Sequence, residues 1–500
     1  MKTADLWNSG ACPGRVISFT LAAPAVSRPV GPPCDSRPPA YVQEAHIRTV
    51  RYLRERGLHG PAWIGTAFDL PGHSDPDTLQ RVLWQWTLRH ETLRSGFRWE
   101  GDELRRFTLE PDEVELCRTD HGTHDSAEEV CRVLEERLDA ATDALSWPNF
   151  VYAAVIGAAG TRLYLGFDHT NVDAYSLHLM PDQIHAEYAR HLAASGGATP
   201  ATPATPGGEE PVPTGAAPRG DTSGADECES YESYDSYDSY VDFCEIERAQ
   251  ADEADVEDAT VARWRSFVAA CDGTLPSFPL DMGVTLGEFP EQRLWDESLV
   301  DAEVTAAFDA RCRPHGGVLP GLIAASAVAV QEAGGPSVYR TVVPFHTRAT
   351  SRWGMSVGWY VGAVPVEVAT GEAGGFGDLL TMARAALRDN RGLARLPVAR
   401  ALRLLGDDFR PPSPDLFSLL SYVDGRGSPG AGSWEEWNAR TLLRVSRGDQ
   451  VCVWVNRAHD GLQFVARYPA TPQARKNMAR YVEGLRTVIT TVARTGGYLE

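Results

Sequence analysis

Arg162-Leu-Tyr-Leu-Gly-Phe-Asp168-His169-Thr-Asn-Val-Asp173-Ala174 carries the reading of this 500-residue chain. Arg162 to Phe167 is a short, almost unbroken apolar run, the pattern of a strand buried on both faces. From Asp173 to Leu192 the pattern changes to that of a helix. The residues between them therefore form a strand–loop–helix junction. His169 stands where the strand ends, so its ring can project into a cleft. Asp173 opens the helix, where the backbone dipole favours a negative charge. An imidazole with an ordinary pKa near 6.5 can take a proton from an alcohol or amine at neutral pH. An aspartate four residues on can hold the loop by pairing with a cation. The pattern His-x-x-x-Asp is short, and a histidine at a strand end is commonly structural, so its surroundings must decide its role.

Upstream, strand-like Val16–Leu21 precedes a helix over Tyr41–Arg56 and a strand at Trp63–Phe68. Asp75 and Pro76 have the chemistry of an N-cap and a first helical position, and the helix they open is expected to run to Arg94. Phe97–Trp99 and Leu104–Leu109 read as a hairpin, and residues 126–145 as an amphipathic helix. Downstream, helices are expected over Ala262–Cys271, Ala302–Arg313, Gly317–Glu332, Phe376–Arg388 and Pro472–Arg494. Strands are expected at Tyr339–Phe345, Val361–Val368 and Phe417–Tyr422, with a hairpin of Gln450–Asn456 and Gln463–Tyr468. Each half alternates strands with helices, which gives an α/β fold of two mixed sheets covered by helices. Between the halves, residues 194–224 are mostly Ala, Thr, Pro and Gly, followed by an acidic Tyr/Ser repeat at Glu229–Tyr240. That composition cannot bury a core. The chain is divided accordingly into a half at 1–193, a disordered linker at 194–239 and a half at 240–500.

The net charge is −21, but residues 221–260 alone carry −14. Such a balance argues against nucleic acid or an anionic membrane as partner. Nine widely spaced cysteines without a Cys-x-x-Cys favour reduced thiols in a cytoplasm over disulfides or a zinc site, so no metal is expected. The longest apolar run, Val318–Val330, contains Pro320 and Gly321 and is too short to span a bilayer. No HExxH, P-loop or GxSxG is present. Gly425-Arg-Gly-Ser-Pro-Gly430 matches GxGxxG but runs into further Gly and Ser, so it reads as a surface loop. His121 and His124 read as members of a polar loop.

Four stretches in order carry a family resemblance. Arg89-His-Glu-Thr-Leu-Arg-Ser-Gly-Phe97 resembles the RHExLRxxF motif of nonribosomal peptide condensation domains. Asp168-His169-Thr-Asn-Val-Asp173-Ala174 resembles their HHxxxDG motif, Tyr240-Val-Asp-Phe243 their Y-x-D-F/Y motif, and Val357-Gly-Trp-Tyr-Val-Gly-Ala-Val-Pro-Val366 their glycine-containing strand. Further stretches are similar to the stand-alone polyketide-associated Pap acyltransferases, among them Cys271-Asp-Gly-Thr-Leu-Pro276 and Val453-Trp-Val-Asn-Arg457.

The resemblance implies two chloramphenicol-acetyltransferase-like halves in a V-shaped pseudo-dimer with a central tunnel. It also implies an acyltransferase of the HxxxD type, moving an acyl group from a thioester to a hydroxyl or amine acceptor. His169 would be catalytic. Asp173, also placed in the catalytic motif, would pair with an arginine of the second half, Arg348 by position with Arg340 as fallback. Asp168, Trp359 and Tyr360 would support the site. The donor would be a phosphopantetheinyl or coenzyme A thioester, so that no cofactor is held. An acyl or peptidyl carrier protein is the implied partner of a monomeric, cytoplasmic enzyme of specialised-metabolite or lipid biosynthesis. The sequence departs from the motif at Asp168, where the family has its first histidine, at Ala174, where it has glycine, and at Gly362, where it has asparagine. Those departures keep a rival in view, a non-catalytic recruitment module.

Overall fold

A computed structural model of the chain describes residues 1–24, 26, 31–72, 74–196, 237–285, 287–414 and 418–498. Most of the expected linker at 194–239 lies outside the described residues. Two large mixed sheets organise the rest. The first has seven strands in the order Lys2–Ala4, Arg440–Arg444, Trp63–Leu70, Gly160–Phe167, Phe150–Gly157, Gly14–Ala22 and Glu115–His124. The second has six, in the order Val361–Ala369, Val338–His346, Leu419–Asp424, Cys452–Ala458, Gly461–Pro469 and Gln292–Asp301.

The apolar run that ends at the motif has a simple cause. Phe150–Gly157 and Gly160–Phe167 are antiparallel neighbours covered on both faces. Phe150, Tyr152 and Ala154, with Leu163 and Leu165, pack against Leu79, Val82 and Trp86 of the helix Pro76–Arg89 and against Leu177, Met180 and Ile184 of the helix Ala174–Gly196. The alternate residues Val151, Ala153, Val155 and Tyr164 meet Val130, Leu134 and Leu138 of the helix Ala127–Ala141. Period-two side chains buried on both sides leave no polar face to read, which is why the run looks continuous. In the second half the helix Val318–Glu332 is buried nearly all round, between the sheet and the helices Phe376–Asn390 and Pro472–Thr495.

The halves exchange parts. Arg440–Arg444 leaves the second half to pair antiparallel with Trp63–Leu70 in the first sheet, and Lys2–Ala4 adds to it in parallel. Thr3 and Gln463 close a reciprocal pair of hydrogen bonds of 2.8 Å each, tying that sheet edge to the second sheet. From the other direction, Tyr41 of the helix Tyr41–Glu55 enters a cluster built from Trp264, Val342, Ala363 and Leu402. The segment 240–500 is thus not confined to one sheet.

Four sequence expectations need correction. The helix opened by Asp75 ends at Arg89 and passes into a 3-10 turn, Glu91–Arg94. His121 and His124 belong to an edge strand rather than a loop, because the strand Glu115–His124 pairs with Gly14–Ala22 along its length. The Gly425 loop is not purely superficial. Gly425 is buried beneath Trp434, and the Ser428 hydroxyl lies 3.3 Å from His178 Nδ1 on the motif helix. The strand expected at Phe417–Tyr422 runs Leu419–Asp424, with Phe417 outside the described residues. Among the described residues, no helix is long and apolar enough to cross a membrane.

Candidate active site

Gly160–Phe167 delivers the motif loop to the meeting of the two halves, and Ala174–Gly196 carries it away. Asn149, immediately before the neighbouring strand Phe150–Gly157, fastens the loop. Its carbonyl accepts from the Asp168 amide at 2.9 Å, and its side chain bonds Thr170 Oγ1 at 2.7 Å and Asn171 at 2.5 Å. Gln43, from the helix Tyr41–Glu55, donates to the Thr170 carbonyl at 2.7 Å. Every one of these groups is buried, so the loop backbone is satisfied by protein donors and acceptors rather than by water.

Asp173 is saturated. Arg348 donates to its two oxygens at 2.6 and 3.1 Å, the Ser176 amide at 2.7 Å and the Tyr360 amide at 3.1 Å. Arg348 also donates to Ser176 Oγ at 2.9 Å and lies over the rings of Tyr360 and Tyr175. Burial alone would raise the carboxyl's pKa, but the Arg348 guanidinium outweighs it and the pKa falls below its ordinary value. A carboxylate with four donors has nothing left for proton transfer, so Asp173 clamps the first half to the second. Arg340, the fallback, is engaged elsewhere, in an ion pair with Glu367 across the strand pair Val338–His346 and Val361–Ala369.

His169 is different. Its ring lies against the indole of Trp359 from the second half, with centroids 4.0 Å apart and planes 30° from parallel. Nδ1 meets no hydrogen-bond partner on another residue. Burial, reinforced by the nearby charge of His46, lowers its pKa from 6.5 to about 4. The imidazole is therefore neutral, and able to accept a proton, throughout the physiological range.

Asp168, where the family has a histidine, holds one from elsewhere. His46 Nε2 is 3.0 Å from Asp168 Oδ2, and Asp168 Oδ1 accepts the Thr170 amide at 2.8 Å. Burial opposes charge on His46, but the Asp168 carboxylate prevails and raises its pKa. Sequence reasoning missed His46, Gln43 and Asn149, whose contacts with the loop span 122, 127 and 21 residues and leave no local spacing to read.

The other quoted motifs converge on this junction. Tyr240 donates to the Trp359 carbonyl at 3.0 Å and packs edge-on to Tyr360, while Asp242 pairs with Arg37. His90 Nε2 is 3.0 Å from Gln183 Oε1, and Gln183 Nε2 donates to the Met355 carbonyl at 2.9 Å, a chain that ends two residues before Val357. Arg89 pairs with Glu187. Gly358 and Gly362 both sit where backbone and rings crowd. A Cβ on Gly358 would collide with the Tyr240 ring, and one on Gly362 with the Ala394 carbonyl, which explains the missing asparagine. Gly358→Ala is accordingly expected to cost about 1–3 kcal/mol, as overpacking does, measurable as a lower denaturation midpoint. An unchanged midpoint would show that Tyr240 can yield.

No family model matches the chain. Among curated proteins it is similar to Acyltransferase PapA3 of Mycobacterium tuberculosis, 26% identical over 99% of this chain and 97% of the relative. It is also similar to Trehalose-2-sulfate acyltransferase PapA2 of Mycobacterium bovis, 26% identical over 96% and 95%. Among solved structures, PapA2 acyl transferase superposes with a TM-score of 0.83 at 24% identity, covering 99% of this chain and all of that one. The first condensation domain of the calcium-dependent antibiotic synthetase superposes at 0.60 with 15% identity, covering 92% and 97%. Over nearly its whole length the chain is thus similar to Pap acyltransferases, and it shares the fold of PapA2 and of condensation domains. Its overall fold is the two-halved pseudo-dimer of those solved structures. In this acyltransferase each half supplies part of the junction: the loop and His46 come from the first, Trp359, Tyr360 and Arg348 from the second.

Proposed function

We propose that this acyltransferase moves an acyl group from a phosphopantetheinyl or coenzyme A thioester to an acceptor hydroxyl, with His169 as proton acceptor. The observation that carries the reading is a neutral, partly exposed imidazole at the junction of the halves, beside a carboxylate too fully bonded to act as a base. His169 Nε2 takes the proton of the acceptor hydroxyl while the oxygen forms its bond to the thioester carbon. The carbonyl π electrons move onto oxygen. When the intermediate collapses, the C–S bond breaks and the thiolate recovers the proton from His169. The site that keeps His169 neutral also makes its imidazolium short-lived, which favours the second transfer. Asp173 and Arg348 hold the loop in register with Trp359. Aligning two reactants at such a junction can be worth ~7–11 kcal/mol of barrier.

The setting we infer is cytoplasmic, with an acyl carrier protein or coenzyme A presenting the donor and no tightly held cofactor. A hydroxyl is preferred to an amine because the relative PapA2 is named for a sulfated sugar, trehalose-2-sulfate. The test is mass-spectrometric detection of product when the protein meets an acyl-coenzyme A or acyl-carrier thioester together with trehalose, trehalose-2-sulfate or an amine. An ester formed faster than thioester hydrolysis is expected. Amide product alone would move the acceptor class. Hydrolysis without transfer from every donor and acceptor would remove the reading.

A further inference from the structure

His46 lies on the helix Tyr41–Glu55, far from the motif in sequence, yet it touches both neighbours of His169. Nε2 reaches Asp168, the preceding residue. Its ring stands edge-on to Trp359, with centroids 5.6 Å apart and planes at 81°. His169 itself lacks the hydrogen bond on Nδ1 that commonly fixes a functional imidazole. Its orientation rests on the indole face and on the loop at Asp168, and His46 contacts the indole and the Asp168 carboxylate.

Resting on the acyl-transfer reading above, we propose that His46 is a positioning residue for His169, acting through its ion pair with Asp168 and its edge contact with Trp359. The charge that the pair brings is part of the device. Asp168 favours the protonated form of His46, and charge on His46 beside His169 disfavours a second imidazolium. The other charged or titratable groups acting here are Asp173, which favours the protonated form of His169, and His59, which feels both His46 and Asp168 from beyond the helix end. The second half presents the uncharged ring of Trp359. The substitution of the family's first histidine by Asp168 is then coupled to His46: the imidazole is supplied from a different element, with a carboxylate to hold it.

The experiment replaces His46 by Gln and, separately, Asp168 by Asn in the full chain. Turnover, KM, melting temperature and the titration of the His169 ring, followed by NMR of histidine-labelled protein, are compared with wild type. His46→Gln is expected to lower kcat about 10–100-fold, the range of lost supporting contacts and small misplacements. KM should hold, and the melting temperature should fall only modestly, because the amide can still donate to the buried Asp168 carboxylate. The His169 titration should move upwards from about 4, because the effect of His46 is removed while that of burial remains. Asp168→Asn should also lower kcat and should let His46 titrate at lower pH. An unchanged His169 titration with unchanged kcat would overturn the proposal. So would a loss of kcat no larger than the loss of folded protein. If His169→Ala retained activity, the acyl-transfer reading would fail, while a shifted His169 titration in His46→Gln would still register the coupling.

Discussion

His169→Ala should reduce single-turnover acyl transfer from a thioester by ~10²–10⁴, the usual worth of a positioned general base. Stability should change little. The ring is partly exposed, meets no hydrogen-bond partner through Nδ1 and leans on one indole face, so its removal strands no buried polar group. His169→Gln should be equally slow, since an amide cannot accept a proton near neutral pH. Single-turnover kinetics beside thermal melting make the comparison. Wild-type turnover in a folded His169→Ala would leave the chain either a purely positional catalyst or the recruitment module that Asp168 and Ala174 kept in view.

The second large effect falls on stability. Asp173→Ala leaves the Arg348 guanidinium buried without its carboxylate, and Arg348→Ala leaves the carboxylate buried without its cation. Breaking a buried pair from one side costs ~3–5 kcal/mol. Both variants should therefore melt early and lose activity together. The double variant should be less damaged than the sum of the singles, because partners in one network are not additive. The pair also fixes a pH dependence. The pKa of Asp173 is depressed in the fold, so its contribution is complete above the ordinary carboxylate value and is lost as pH falls through the folded one. Acid unfolding of the wild type should accordingly be steeper than that of Asp173→Asn. Strict additivity in denaturant titrations of the four proteins would show that the clamp does not act as a unit.

Much of this arrangement was legible because it is local. The strand ending at Phe167, the N-cap at Asp75 and the motif spacing each depend on neighbours a few residues apart. The Asp75 carboxylate does accept the amides of Asp77 and Thr78. The Arg348 pairing was reachable only through the family resemblance, since 175 residues separate the partners. What stayed hidden depends on long-range geometry. Arg440–Arg444 looks like any short half-buried segment, and nothing in it signals pairing with Trp63–Leu70. The edge strand Glu115–His124 has no alternation to betray it, because most of its side chains are exposed or partly so. His46 sits among arginines on an exposed-looking helix face, and only the folded chain brings it to Asp168.

The claim that a neutral, partly exposed His169 is the proton acceptor is tested most directly by the pH dependence of kcat/KM, which reports the free enzyme's essential groups. With thioester and acceptor both well below saturation, and the folded fraction followed in parallel, the acid limb assigned to His169 should lie near pH 4, where its imidazolium forms. Between pH 5.5 and 7 that group should impose no slope. An acid limb at about 6.5 that disappears in His169→Gln would place an ordinary, solvated imidazole at the centre of the reaction and contradict the buried site described here.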